Sequence, residues 1–287
     1  MDILFDMETN DPDDVMTLCI LSAHPNVNLR AVTVMPGTDE QVGLVHRVLE
    51  LTDHPEIPVG SYAIGYEKPC VSGFHNKWFG KWEDKTPDGE GYQIIKETVA
   101  EYPELTILTG GPLKNFRLLD AKLPIHRWVA QGGFAGDNVV PPEHRLPKFV
   151  GRTTCPTFNF GGDPKTASKL LATPQIEKRL LVSKNVCHGL AYDAEMHEKM
   201  EGYKDSSAGL HWVYKGMDKY LQRRPNGKLF HDPLAACVAI DPSICEFREV
   251  ELFRARGEWG SNLVLGTNTF ISIAADKDRF FDVMVGV

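Results

Sequence analysis

The chain has 287 residues, is 42% apolar and carries a formal charge of −8, enough for a full α/β core and too acidic for a nucleic-acid ligand. No run reaches the roughly 18 apolar residues of a membrane span, and the N-terminus enters a strand pattern without a signal-peptide layout, which points to the cytoplasm. The six cysteines are scattered with no Cys-x-x-Cys pair and read as reduced thiols, Cys19 and Cys237 as core residues.

Apolar runs and helical spacings alternate along the first half. Ile3–Phe5 predicts a buried strand, Val15–Ala23 a helix, Leu29–Met35 a second strand and Glu40–Leu51 a second helix. Pro58-Val59 allows a short strand before a loop of glycine, proline and aromatic residues from Gly60 to Gly89. A helix at Gln93–Tyr102 leads to a strand at Leu105–Leu108 and the turn Thr109-Gly110-Gly111-Pro112. The strand Arg127–Ala130 then runs into Gly132-Gly133. Such alternation predicts a mostly parallel central sheet with helices on both faces in one domain, residues 1–287, with its site at the carboxyl ends of the strands.

The segment Val139–Pro156 is rich in proline and has little periodicity, so it reads as an irregular excursion. Regular spacing resumes with a helix at Pro164–Leu171, a strand at Arg179–Ser183 and helices at Ser206–Leu221 and Pro233–Ile240. A strand pair, Arg248–Phe253 and Phe270–Ala274, and a short helix close the chain.

Five carboxylates, Asp6, Glu8, Asp11, Asp13 and Asp14, fall within nine residues directly after the first strand. Gathered at a strand end, like charges raise each other's pKa values or call for a cation, and an oxygen-rich set suits Ca²⁺ or Mg²⁺. A plain acidic turn with Asp13 or Asp14 capping the next helix accounts for one or two of the five. Far along the chain, His231-Asp232-Pro233 opens an apolar helix. There Asp232 fits an N-cap, Pro233 the first helical position, and His231 either a buried histidine or a site residue.

These segments carry a resemblance. The acidic start resembles the Asp-x-Asp-Pro-Gly-x-Asp-Asp motif of the inosine–uridine-preferring nucleoside hydrolases. In the same order follow Ala31-Val32-Thr33-Val34 with Pro36-Gly37, Gly111-Pro112-Leu113-Lys114-Asn115, and Gly132-Gly133 through Asn138. Phe158-Asn159 with Asp163-Pro164, and His231-Asp232-Pro233-Leu234-Ala235 with Asp241-Pro242-Ser243, complete a collinear series over nearly the whole chain. The resemblance implies calcium-dependent hydrolysis of the N-glycosidic bond of a nucleoside-like small molecule by a homo-oligomer, a dimer or tetramer. It implies a Ca²⁺ ion held by Asp6, Glu8, Asp14, Asp232 and the carbonyl of Gly110. Asp13, His75, Asn138 and Asn159 are then expected to grip the substrate, Glu8 or Asp11 to act as base, and His231 to protonate or position the leaving base.

The departures bear on the substrate. Glu8 stands for the motif's second aspartate, and one extra residue separates it from Asp13-Asp14. Thr9-Asn10-Asp11-Pro12 replaces Pro-Gly, and His75-Asn76 stands where a His-Gly pair is expected. Thr157 takes the place of a glutamate before Phe158-Asn159 and leaves space toward the 5′-hydroxyl. Val139–Pro156, with Glu143, His144, Arg145 and Lys148, is a candidate cover for that space, so the substrate is expected to differ from plain inosine or uridine at its 5′ end or in its base. Two alternatives stand beside this reading. Asp6-Met7-Glu8-Thr9 also fits a haloacid-dehalogenase-type phosphohydrolase, and altered grip positions fit a non-catalytic nucleoside-binding protein.

Overall fold

The computed structural model describes residues 1–287. In chain order it comprises β1 (Asp2–Met7), α1 (Pro12–Ala23), β2 (Asn28–Val34), α2 (Asp39–Leu51), β3 (Val59–Ser61), α3 (Gly73–Phe79), β4 (Gly89–Glu90), α4 (Gly91–Glu101), β5 (Thr106–Thr109) and β6 (Ile125–Gln131). There follow β7 (Thr154–Cys155), α5 (Phe158–Gly162), α6 (Pro164–Ala172), β8 (Ile176–Val182), α7 (Lys184–Cys187), β9 (Ala191–Tyr192), α8 (Ala194–Glu201) and α9 (Ala208–Leu221). The end of the chain supplies β10 (Lys228–Leu229), α10 (His231–Ile240), β11 (Cys245–Ala255), β12 (Glu258–Leu263), β13 (Thr269–Ala275) and α11 (Lys277–Val285).

Eleven strands form one sheet in the order β4-β3-β2-β1-β5-β6-β8-β13-β11-β12-β7, and β9 pairs with β10 in a small separate ribbon. From β4 to β13 every pairing is parallel, and antiparallel pairing begins at β11. The alternation of β1 explains the layering. Ile3, Phe5 and Met7 join an apolar layer with α1, α2, α9 and α10, while Leu4 joins a second layer with Ile95 and Val99 of α4 and Ala167 and Leu170 of α6. A strand buried on both faces reads as a continuous apolar run, which is why it was recognisable.

Helix α1 is buried from Asp13 to Ser22, with Pro12 opening it and Asp13-Asp14 in the first turn, where carboxylates meet the positive end of the helix dipole. Thr38 and Gln41 close a reciprocal capping box on α2. Cys19 and Cys237 are core residues, as expected, and no helix is long and apolar enough to cross a membrane.

Several stretches add structure beyond the expectation, among them α7, α8 and the β9–β10 ribbon. The loop at 60–89 contains α3, whose His75, Trp78 and Phe79 are buried. The Pro-rich excursion is irregular except for short 3-10 turns at Pro142–His144 and Pro147–Phe149 and the edge strand β7. Strand β12 was not anticipated, because Glu258–Leu263 lacks an apolar alternation. It forms by folding back on β11 through Arg256-Gly257, both at positive φ, the signature of a tight hairpin turn.

Candidate active site

Asp6 at the end of β1, Gly110 after β5 and Gly133 after β6 lie at the carboxyl edge of the parallel strands, where such sheets form their sites. The first turns of α1 and α10 face each other there. Asp13 accepts hydrogen bonds from the amides of His231 (3.0 Å) and Asp232 (3.3 Å), tying the start of α10 to α1 across 219 positions of sequence. Asp14 accepts from the Glu8 amide at 3.2 Å, which folds the acidic loop back onto its own helix. As a result, carboxylate oxygens of Asp13, Asp14 and Asp232 lie within 4.8 Å of one another. Gly110 closes the group, since a Cβ there would come within 2.9 Å of Asp232 Oδ1, so any side chain would push Asp232 away. The Gly110 carbonyl accepts from Asn159 Nδ2 at 2.9 Å, and the same amide donates to the Gln131 side chain at 2.8 Å.

Electrostatics divides these acids into two sets. Lys228, on β10, places its ammonium 2.9 Å from both Asp11 and Asp13. Burial alone would discharge it, but Asp13 and Asp11 more than reverse that and hold it charged. Gly227 allows this approach, because a Cβ there would meet the Tyr192 carbonyl at 2.6 Å and its φ is +88°. The other set, Glu8, Asp14 and Asp232, has no lysine or arginine partner. Burial followed by repulsion from Asp232 pushes Asp14 well above the usual carboxylate range, and burial followed by repulsion from Asp13 does the same to Asp232. Glu8 is pushed up to about 7 by burial and then by Asp6. Asp232 Oδ1 is buried without a hydrogen-bond partner. An all-oxygen set of buried carboxylates with an unpaired oxygen fits a hard divalent cation, which would neutralise it.

A cavity of about 300 Å³ opens over this group. Of the residues singled out from sequence, Glu8, Asp11, Asp13, Asp14, Gly110, Asn159, His231 and Asp232 all line it. The structure keeps three others off its wall. Asp6 is fully buried beneath the loop, where Thr33 and Asn115 each donate to Oδ1 at 2.6 Å, so it braces β1 from below. His75 is fully buried on α3, and its Nε2 donates to the Thr9 carbonyl at 2.8 Å, which clamps the acidic loop from behind. Asn138 turns toward β12 and donates to the Ser261 carbonyl at 2.7 Å, because the unanticipated hairpin offers it a partner.

Sequence reading did not find Lys228, nor Asn10, Gln131 and Phe158 on the cavity wall. Lys228 gives no local signal, since its partners are 215 positions away. Phe158, which the sequence offers only as part of a motif, is 73% exposed and lines the cavity. Thr157 is buried with an unpartnered hydroxyl. No residue of the Pro-rich excursion lines this cavity. Arg145 is bound to Asp137 and the Val140 carbonyl, while Lys148 reaches His188 on the His231 side. His231 itself is pushed down to about 4 by burial and then by Lys228, and is therefore a neutral imidazole.

The family model described as inosine-uridine preferring nucleoside hydrolase matches residues 3–282. Among solved structures, the chain is similar to a plant nucleoside hydrolase, with a TM-score of 0.74 at 18% identity over 99% of this chain and 97% of that one. It is similar to a purine-preferring ribonucleoside hydrolase from Gardnerella vaginalis, with a TM-score of 0.70 at 17% identity over 100% of this chain and 97% of the other. An inosine-uridine preferring nucleoside hydrolase from Bacillus anthracis superposes with a TM-score of 0.68 at 17% identity, covering 99% and 97%. No curated protein matches the chain.

Proposed function

We propose that this chain, which belongs to the inosine-uridine preferring nucleoside hydrolase family and is thereby a hydrolase of N-glycosyl bonds, splits a nucleoside-like riboside into base and ribose with the help of one Ca²⁺ ion. The observation that carries the reading is the meeting of Asp14 and Asp232, from opposite ends of the sequence, beside Glu8 and the backbone of Gly110. Glu8, Asp14, Asp232 and the Gly110 carbonyl would hold the ion. When bound, such an ion supplies Lewis acidity toward a water molecule and an anchor for vicinal hydroxyls.

The chain's own groups then divide the work. Glu8, a cavity-lining carboxylate with no lysine or arginine partner, accepts the proton of the attacking water. Asp11 is the weaker candidate, because its carboxylate is 54% exposed and already paired with Lys228. Asp13 holds the start of α10, and so Asp232, in place. As a cavity-lining carboxylate it keeps lone pairs for a ribose hydroxyl. Asn159 and Gln131, fixed by their mutual hydrogen bond, offer further polar groups to the sugar. His231, neutral at working pH, hydrogen-bonds the departing base. The phosphohydrolase alternative would need Asp6 as an accessible nucleophile, and Asp6 is sealed beneath the cavity. The unbroken sheet supports treating residues 1–287 as one domain.

Excess chelator should lower hydrolysis of a panel of purine and pyrimidine ribosides by several kcal/mol of transition-state stabilisation, on the order of 10³-fold. Added Ca²⁺ should restore it. Full activity in chelator would remove the metal from the mechanism.

A further inference from the structure

Two lysines flank the cavity but lie off its wall, one reached through the cavity-lining His231 and the other beside the segment that leads into Phe158. Lys148, on the Pro-rich excursion, donates from Nζ to Nδ1 of His188 at 2.5 Å. The His188 ring lies 4.8 Å from the His231 ring, and Phe149 packs edge-on against its other side at 5.6 Å. Lys184, at the start of α7, donates to the Pro156 carbonyl at 2.7 Å. Both ammonium groups are therefore held in place by neutral acceptors, an imidazole and a carbonyl, and neither has a carboxylate partner. In a chain with a net charge of −8, two such cations, one behind the cavity-lining His231 and one held two residues before the cavity-lining Phe158, call for an explanation. Of the cavity's carboxylates, Asp11 and Asp13 share the single ammonium of Lys228. Burial, then His231 and Lys148, push His188 down to about 3, so the Lys148–His188 pair carries its single charge on the lysine.

We propose that Lys148, seated on His188 behind His231, and Lys184 form a cationic wall on the base side of the cavity that selects N-ribosides whose heterocyclic base carries a negative charge. The inference rests on the reading above, in which His231 faces the leaving base. An anionic heterocycle, such as a carboxylated pyrimidine, gains at this wall both on binding and as further negative charge builds on it when the glycosidic bond breaks. The acidic floor remains at the sugar end, so the two ends of the substrate meet opposite charges. The wall also gives the Pro-rich excursion a role, since that excursion delivers Lys148.

The test uses a pair of substrates that differ in charge and hardly in shape, 5-carboxyuridine and 5-carbamoyluridine, with uridine and uridine 5′-monophosphate alongside. With the intact protein and Ca²⁺, kcat/KM for the carboxylate should exceed that for the carboxamide at least tenfold. The ratio should fall toward one in the Lys148→Gln, Lys184→Gln double variant. It should also shrink with rising salt in the unaltered protein, a readout that needs no variant to fold. A ratio near one while the carboxamide is turned over overturns the wall and leaves the hydrolase reading intact. So does a preference for the 5′-phosphate in place of the base carboxylate, which would put the lysines at the other end of the sugar. Should no riboside be hydrolysed, the hydrolase reading fails, and calorimetry with 5-carboxyuracil and 5-carbamoyluracil still decides the wall. At least tenfold tighter binding of the acid, lost in the double variant, supports it, and equal affinities overturn it.

Discussion

The floor and the flank of this cavity handle charge in opposite ways. On the floor, carboxylates from α1 and α10 are packed within 4.8 Å of one another, and burial forces them to take up protons or a cation. On the flank, Lys148 and Lys184 have no carboxylate partner and are held by an imidazole and a carbonyl. Lys228 separates the two regions. It is a buried cation like none on the flank, and it serves the floor by neutralising Asp11 and Asp13. Charge buried in the floor is therefore part of the fold, whereas charge on the flank is available to a ligand.

Lys228→Met gives the largest test of that contrast. It keeps the aliphatic stem and removes the ammonium, leaving Asp11 and Asp13 without their cation. Breaking a buried pair in this way should cost about 3–5 kcal/mol in urea unfolding. Lys148→Gln, at the exposed rim, should stay within about 0.5 kcal/mol of the parent. Equal effects at the two positions would erase the distinction between floor and flank.

A smaller effect is expected from pH. Burial pushes Asp6 from an ordinary 3.8, and Glu8 from an ordinary 4.5, up to about 7. Between those limits the folded, ion-free protein holds protons that the unfolded chain has released. The stabilisation by Ca²⁺ relative to chelator should therefore grow as pH rises from about 4 to about 7, because the ion favours the ionised groups, while the buried histidines, which act on stability in the opposite sense, cancel in that difference. Calorimetric Tm across that window reads it directly. A gain from Ca²⁺ that stays constant across the window would mean that the floor is already compensated without an ion.

The smallest expected effect concerns Asn138, which belongs to neither region. Since its amide serves the Ser261 carbonyl, Asn138→Ala should lose about 1 kcal/mol of stability and leave riboside kcat/KM at the parent level. A large loss of kcat/KM with unchanged stability would return Asn138 to the substrate.

The sequence by itself determined the parallel half of the sheet and the acidic floor. Ile3–Phe5 announces a doubly buried strand through its unbroken apolar run, and the acids follow directly, so their place at a strand end is a local fact. His231-Asp232-Pro233 was legible as a helix start for the same reason, and its collinear order with the other motifs tied it to the same site. Direction and partnership were decided only by the tertiary structure. Asp6, His75 and Asn138 sit in the right segments, but packing turns Asp6 under β1, His75 behind the loop and Asn138 toward a hairpin whose strand has little apolar pattern. Lys228, Lys148 and His188 gain their meaning from groups on other elements. A local pattern records which face of its own strand or helix is apolar, and carries no record of which distant charge that face will meet.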